Sequence, residues 1–232
     1  MIFIARTDYR SSFVKVSITE PELSPNELKR GCRLGSDSHC NTSVVGKHAK
    51  IIAVIEGQTV EAFPFAKSFG SIKNLPIVNA AVAYDHPVLC RTFILHLNHS
   101  IFVGEDSDNS LLCPNQLRAN GVQLDDRPKI YDPSSTYSIY FPANDLHLPF
   151  RSYGPTDYIP IRRPTEDEYE QCELLDLTDP DGWDPYQEPS NSGFYVSSIC
   201  RQAHVYEEHP LDDELLQHTL ISKIKTIPIV SA

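Results

Sequence analysis

The chain has little glycine, methionine or tryptophan for its length, and it has no long apolar run. Its 232 residues include 10 glycines against 18 prolines, one methionine and one tryptophan. No segment approaches the ~18 apolar residues of a membrane-spanning helix, so the sequence predicts no membrane partner. The apolar stretch before Arg6 is too short for the core of a secretory signal. We therefore expect a soluble, cytoplasmic protein.

Positive charge is also scarce, and it is scattered along the chain. Lys and Arg number 20 against 31 Asp and Glu, which gives a net charge of −11. Residues 151–232 hold 6 basic and 16 acidic side chains, so the negative excess belongs to the C-terminal third. Phosphate binding relies on clustered Lys and Arg, and no cluster is seen. Direct nucleic-acid binding is therefore not expected.

The cysteines are widely spaced, which favours reduced thiols over a disulfide framework. There are six of them: Cys32, Cys40, Cys90, Cys113, Cys172 and Cys200. His39, Cys40 and His48 suggest a metal site, but their spacing matches no common zinc-ligand pattern. A buried thiol with surface imidazoles is the favoured interpretation. We expect no metal and no cofactor.

Short β-branched and aromatic segments separated by turn residues predict a mainly β fold. The predicted strands are Ser43–Val45, Ala49–Ile55, Val60–Phe65, Ile77–Ala83 and Thr92–Val103. Glu56–Thr59 is predicted to be a hairpin turn. Pro114 fits the first turn of a short helix, and Asn120-Gly121 is a good signal for its end.

Beyond about residue 130 proline recurs every few residues, so we expect few regular elements there. Thr165 and Glu168 predict a capping box that begins a short helix. Residues 176–193 are interpreted as an acidic linker. Leucine and isoleucine at helical spacing predict an amphipathic helix at about residues 211–225, which we interpret as a packing or self-association face rather than a membrane anchor.

The segment Leu34–Gly46 carries the main functional signal. Asp37 and Ser38 lie in a polar turn just before an apolar, strand-like run. A carboxylate on a tight loop between two strands suits one half of an aspartic protease site, which needs two carboxylates close enough to share a proton. The plain alternative is that Asp37 caps an ordinary turn. The other Asp-Ser pair, Asp106-Ser107, lacks apolar flanks.

Three segments resemble the retropepsin-like protease region of copia-type retrotransposon polyproteins. Asp37-Ser38-His39-Cys40-Asn41-Thr42-Ser43-Val44-Val45-Gly46 resembles the catalytic motif, in a version with His in place of Gly. Ser110–Asp125 resembles the late segment, with two apolar strand residues, a helix, Asn-Gly and a last strand. Leu75–Ala81 resembles the apolar strand that follows the flap. The resemblance covers about residues 28–130.

The resemblance implies a mainly β, half-barrel acid protease domain at residues 28–130. A proline-rich acidic extension at 131–192 and a C-terminal segment at 193–232 with the short helix would follow it. A homodimer would form the catalytic dyad, with Asp37 from each subunit. Ser38 would hydrogen-bond across the dimer, and the hairpin at Glu56–Thr59 would be the flap that closes over a peptide or polyprotein substrate.

Four positions depart from the family pattern: Ser36, His39, Cys40 and Asn41. In the general motif glycine follows Asp-Ser, because a backbone N–H must approach the carboxylate at a φ that side chains resist. We therefore expect the His39 side chain to disturb the dyad, and replacing it by glycine to raise activity. The competing hypothesis is a non-catalytic retrotransposon remnant that acts as an interaction module or has no present function.

Overall fold

The chain folds mainly as β-sheet, which confirms the predicted class. The computed structural model describes residues 3–6, 32–64 and 70–185, so the helix predicted at about 211–225 lies outside the described residues. The described elements are β1 (Phe3–Arg6), β2 (Cys32–Ser36), β3 (Val44–Gly46), β4 (Lys50–Pro64), β5 (Ile72–His86), β6 (Arg91–Gly104), β7 (Ser110–Leu112), α1 (Pro114–Ala119), β8 (Gln123–Asp125), β9 (Ser138–Phe141), β10 (Leu146–Pro149), β11 (Arg151–Tyr153), β12 (Thr156–Ile161), α2 (Glu166–Gln171) and β13 (Glu173–Asp176). Neither described helix is long and apolar enough to cross a bilayer.

Ten strands form one large sheet, whose central strands are buried on both faces. Its order is β1-β4-β5-β6-β3-β7-β2-β12-β11, and β13 pairs with β6 beside this path. Val78 and Val82 on one face of β5 belong to the main core. Ala81 and Ala83 on the other face cluster with Tyr169 of α2. This two-sided burial explains the nearly continuous apolar sequence of β5.

The main core lies between this sheet and a smaller sheet of order β10-β9-β8. Ile139 and Leu148 of the small sheet and Leu34 of the large one are fully buried in the same cluster. The large sheet also curls back on itself. Ala83 of β5 and Arg162, just after β12, exchange two backbone hydrogen bonds of 2.8 and 3.0 Å.

The hairpin turn predicted at Glu56–Thr59 is wrong, because β4 runs through these residues to Pro64. They form a bulge in the strand: Val54 pairs with Val78, and the next pair joins Thr59 to Pro76. Gly57 adopts a φ of +74°, which a side chain would disfavour. A glycine among polar residues has the composition of a turn, but here it marks extra residues in a continuous strand.

The expectation of few regular elements after residue 130 is wrong for the described part, which contains β9–β13 and α2. β12 pairs with β2, and β13 pairs with β6. Pro149 ends β10, Pro164 precedes α2, and the aromatic and aliphatic residues between the prolines form the strands. The boundaries at residues 130 and 192 stay predictions, although strands from both sides of residue 130 share one sheet.

Both short helices begin as the sequence predicts. Pro114 occupies the first turn of α1, and Asn120 ends it before Gly121, which has a φ of +74°. At α2 the Thr165 side chain accepts the backbone N–H of Glu168, and the Glu168 carboxylate accepts that of Thr165. These two contacts form the predicted capping box.

Gly46 at the end of β3 has no room for a side chain. A Cβ there would collide with the carbonyl oxygen of Ser107 and lie 2.8 Å from that of Asn109. We predict that Gly46→Ala lowers the free energy of unfolding by about 1–3 kcal/mol, as overpacking does elsewhere. The measurement is urea-induced unfolding followed by circular dichroism.

Gly35→Ala in β2 is the matched control for this substitution. Its Cβ would lie 3.6 Å from the Leu111 side chain, which is ordinary contact. We expect the control to stay within about 1 kcal/mol of the native protein. Equal unfolding midpoints for the two variants would contradict the close packing at Gly46.

Candidate active site

Asp37 lies on the loop that joins β2 to β3, and β7 is inserted between these two strands. β2 runs parallel to β7, and Val44 of β3 pairs with Leu111 of β7. The loop therefore crosses the carboxyl end of β7. There the backbone N–H of Asp37 donates to the carbonyl of Leu112 at 3.1 Å. This bond fixes the point at which the chain leaves β2.

The Asp37 carboxylate is mostly buried but still open to solvent. Its side chain is 14% exposed. Oδ1 accepts the backbone N–H of His39 at 2.9 Å, so the loop's own backbone orients the carboxylate. Ser38 beside it is exposed, and its Oγ lies 3.3 Å from His39 Nδ1. The two predicted catalytic residues are thus adjacent at an accessible turn.

The backbone at His39 shows no strain that glycine would relieve, and the expectation that the His39 ring disturbs the dyad stays a prediction. His39 is not among the described residues with positive φ, so its backbone does not need glycine. Its ring is 68% exposed, and its Nδ1 lies 3.8 Å from the carboxylate. The N–H approach that the family motif achieves with glycine is made here by a histidine whose side chain points towards solvent.

Cys40 and Asn41 help to hold the loop. The Cys40 side chain is 4% exposed, and its thiol donates to the carbonyl of Asp37 at 3.0 Å. The carbonyl of Asn41 accepts the indole N–H of Trp183 at 2.9 Å. Ser36, the fourth departure, is half-buried at the end of β2. Trp183, in the described part of the predicted linker, therefore contacts the loop.

A buried amide connects the far side of the loop to the rest of the fold. Gln116 of α1 is 1% exposed. Its Oε1 accepts the backbone N–H of Ser43 at 2.9 Å, and its Nε2 donates to the carbonyl of Asn98 at 3.0 Å. Ser43 in turn accepts the backbone N–H of Cys113 at 3.0 Å through its Oγ. Helix α1, the loop and β6 are joined through one side chain.

Sequence reasoning identified Asp37 and Ser38 but missed Gln116, Ser43 and Trp183. Gln116 precedes the buried Leu117, and a polar residue there gave no sign of its partners in the Asp37 loop and in β6. Trp183 lies in an acidic, proline-containing stretch that is typical of linkers. Gln116 and Ser43 are 73 positions apart along the chain, and Trp183 and Asn41 are 142 positions apart, so no local pattern predicts these contacts.

The structure does not bring Asp106 to the Asp37 loop. Asp106 is exposed in the turn between β6 and β7, where its N–H donates to the carbonyl of Val103. The next residue, Ser107, accepts the N–H of Lys47 beyond the opposite end of β3. Among the residues that the structure describes, no group of three His, Cys, Asp or Glu is suited to hold a metal ion.

Comparisons of this chain with family models, curated proteins and solved structures find no match. The candidate site therefore rests on the geometry of the chain's own residues. That geometry is an oriented, accessible carboxylate on a braced loop beside an exposed hydroxyl.

We predict that Gln116→Leu destabilises the protein by about 2–4 kcal/mol, because it leaves the Ser43 N–H and the Asn98 carbonyl buried without this partner. Asn115→Leu on the exposed side of α1 is the matched control and should change stability by no more than about 0.5 kcal/mol. Urea unfolding of both variants provides the test. Equal effects would mean that Gln116 does not brace the loop.

Proposed function

We propose that this chain is a retropepsin-like aspartic endopeptidase, related to the protease region of copia-type retrotransposon polyproteins, and that it acts as a homodimer. The observation that carries the proposal is the setting of Asp37. Its carboxylate accepts the His39 N–H at 2.9 Å on a loop anchored to Leu112. A carboxylate oriented by a backbone donor needs little reorganisation when it meets a reacting group.

The proposed chemistry needs two copies of this loop. With the carboxylates of two Asp37 residues close together, one remains protonated because two like charges cannot both ionise at that distance. The ionised carboxylate takes a proton from water as the water oxygen attacks the peptide carbonyl, and the protonated one donates to the carbonyl oxygen. The C–N bond then breaks as the leaving nitrogen is protonated.

The second Asp37 would come from a second chain, related by two-fold symmetry. Asp106-Ser107 lacks the braced setting of Asp37, so it is a poor candidate for the second half of the dyad. Ser38 is exposed beside Asp37, as a residue that bonds across the two-fold axis must be. We propose polyprotein or other extended peptides as substrates. Glu56–Thr59 lies within the continuous strand β4, so we do not propose these residues as the flap.

We predict that Asp37→Asn abolishes cleavage of a mixed peptide library at mildly acidic pH. Loss of the group that transfers the proton should lower the rate by about 10²- to 10⁴-fold. Asp106→Asn, which changes the other Asp-Ser pair, is the matched control and should cleave like the native protein. Cleavage that persists in Asp37→Asn would contradict the assignment.

The same variant tests whether the enzyme is a homodimer. An excess of Asp37→Asn protein mixed with native protein should lower native activity, because exchanged subunits form dimers with one acidic dyad member. The same excess of Asp106→Asn protein should not. Native protein that cleaves no peptide, at a concentration where it is shown to be dimeric, would favour the non-catalytic interaction module instead.

We predict that His39→Ala and His39→Gly have equal cleavage activity. The His39 backbone does not lie in the left-handed region, so glycine offers no conformational advantage over alanine. Any gain over the native protein would then come from removing the ring that lies 3.8 Å from the carboxylate. A gain in His39→Gly alone would show that the loop needs a glycine after all.

A further inference from the structure

The turn that joins β5 to β6 is held by one buried histidine. His86, the last residue of β5, is 7% exposed. Its Nδ1 accepts the backbone N–H groups of Val88 and Leu89, at 3.2 and 3.1 Å. Its carbonyl accepts the N–H of Cys90 at 3.1 Å. Pro87 has no N–H, so His86 satisfies every backbone donor of the turn between the two strands.

These contacts fix the protonation state of the imidazole. A ring nitrogen that accepts two N–H groups carries no hydrogen, so Nδ1 is unprotonated. On the other side of the ring, Nε2 lies 2.9 Å from the carbonyl of His147 in β10 and donates to it. The ring of His86 is therefore neutral, with its hydrogen on Nε2. An imidazolium has a hydrogen on both nitrogens and accepts nothing, so it cannot keep the two bonds to the turn.

The turn also contains backbone strain that opposes its closed shape. Cys90 adopts a φ of +52°, in the left-handed region that residues with a side chain disfavour. A strained conformation persists only where the surrounding contacts hold it. Two of the three N–H bonds of the turn go to Nδ1, so their loss removes most of the hydrogen bonding that keeps Cys90 in place. Val88 and Leu89 are 78% and 47% exposed, so packing holds them weakly.

Ionisable groups beside the ring on its own hairpin are neutral or already paired. Burial raises the pKa of Tyr84 to about 12, and its ring lies edge-on to the imidazole at a centroid distance of 5.9 Å. Hydrogen bonds from Arg162 lower the pKa of Asp85, and the two side chains form a bidentate pair with both distances 2.9 Å. The guanidinium of Arg91 lies 3.0 Å from the carboxylate of Glu173. These charges therefore have other partners.

The other elements around His86 present a carbonyl, aromatic rings and a positive charge. His147 accepts the Nε2–H, while its own imidazole stacks on Tyr140 with the ring centroids 4.3 Å apart. Phe93 of β6 packs against the His86 ring at a centroid distance of 6.1 Å. Arg151 of β11 is positive and interacts with Tyr84. None of these described neighbours supplies a negative charge to an imidazolium.

We propose that His86 is a pH-sensitive switch that holds the β5–β6 turn closed while its imidazole is neutral and releases Val88 and Leu89 when Nδ1 binds a proton. Histidine ordinarily changes charge between about pH 5 and 8, so mildly acidic pH is where release is expected. The bond from Nε2 to His147 survives, because both nitrogens of an imidazolium donate. The ring therefore stays on β10 while the turn opens.

The switch acts on a surface rather than on the core. In the closed turn, the exposed apolar side chains of Val88 and Leu89 have one fixed arrangement. Opening replaces it with many arrangements, and ordering them again costs entropy. The proposal rests on the contacts of His86 alone and does not depend on the proposed protease activity.

The test is amide hydrogen exchange of the full-length protein, followed for single residues by NMR at about pH 7.5 and about pH 5. Comparing each rate with that of an unstructured chain at the same pH gives a protection factor. The protection factors of Val88 and Leu89 should fall by about 10-fold or more at the lower pH, because each N–H loses its acceptor. Val82 and Leu95, which pair with each other within the hairpin, should stay protected.

Two substitutions separate the roles of the two ring nitrogens. His86→Asn places a carboxamide oxygen where Nδ1 lies, and this oxygen accepts N–H groups at either pH. Val88 and Leu89 should therefore stay protected at both. His86→Gln reaches the position of Nε2 and keeps a donor for the His147 carbonyl, but it lacks the acceptor for the turn. In this variant the same two amides should exchange quickly at both pH values.

The proposal is overturned if native protein keeps the protection of Val88 and Leu89 at the lower pH, or if His86→Asn loses it as the native protein does. The ¹⁵N spectrum of the His86 ring gives a further reading that needs no variant. It should show a hydrogen on Nε2 alone while the turn is closed and on both nitrogens once it opens. A hydrogen on Nδ1 at about pH 7.5 would equally overturn the proposal.

Discussion

The short strand β7 controls the position of Asp37, because it fills the gap between the two strands that the Asp37 loop connects. Its partners flank it on both sides, and the carbonyl of its last residue, Leu112, accepts the Asp37 N–H. Along the chain, strands β3–β6 lie between the Asp37 loop and β7. The loop therefore acquires its final geometry only when distant segments have paired, and contacts of such long sequence separation slow folding. The candidate site depends on the whole sheet rather than on its own motif.

Polar groups buried beside the loop must all find partners, and this requirement joins α1 to the site. Helix α1 has only six residues, so it has little stability of its own. Its buried Gln116 satisfies backbone groups of the Asp37 loop and of β6 at once, and an unpaired group there would be costly. One side chain thus transmits any shift of α1 to the start of β3. Cys40 lies in the same region, and its buried thiol donates to the carbonyl of Asp37 at 3.0 Å.

Local signals in the sequence were enough to predict the elements whose determinants are local. Pro114 with Asn120-Gly121 fixed the limits of α1, and the Thr165–Glu168 capping box fixed the start of α2, because each feature satisfies backbone groups within one turn. The Asp37 loop was found for the same reason. The bulge at Glu56–Gln58 was mistaken for a turn, since only its pairing with β5 distinguishes the two. The pairing of β12 with β2 and the Gln116 contacts join residues far apart in sequence, and no periodicity records which strands become neighbours.

The pairing of β12 with β2 also limits how two copies of this chain can form one site. β2 leads directly into the Asp37 loop, and its outer edge is already occupied by Tyr158–Ile161 of β12. A second copy therefore cannot add a strand at that edge, and removing the residues after 130 would expose it as an unpaired edge prone to aggregation. If two Asp37 carboxylates meet, the contact between the subunits must involve the loops themselves, through exposed groups such as Ser38. The residues after 130 then belong to the smallest unit that can hold the loop in position, because they complete the sheet on which the loop stands.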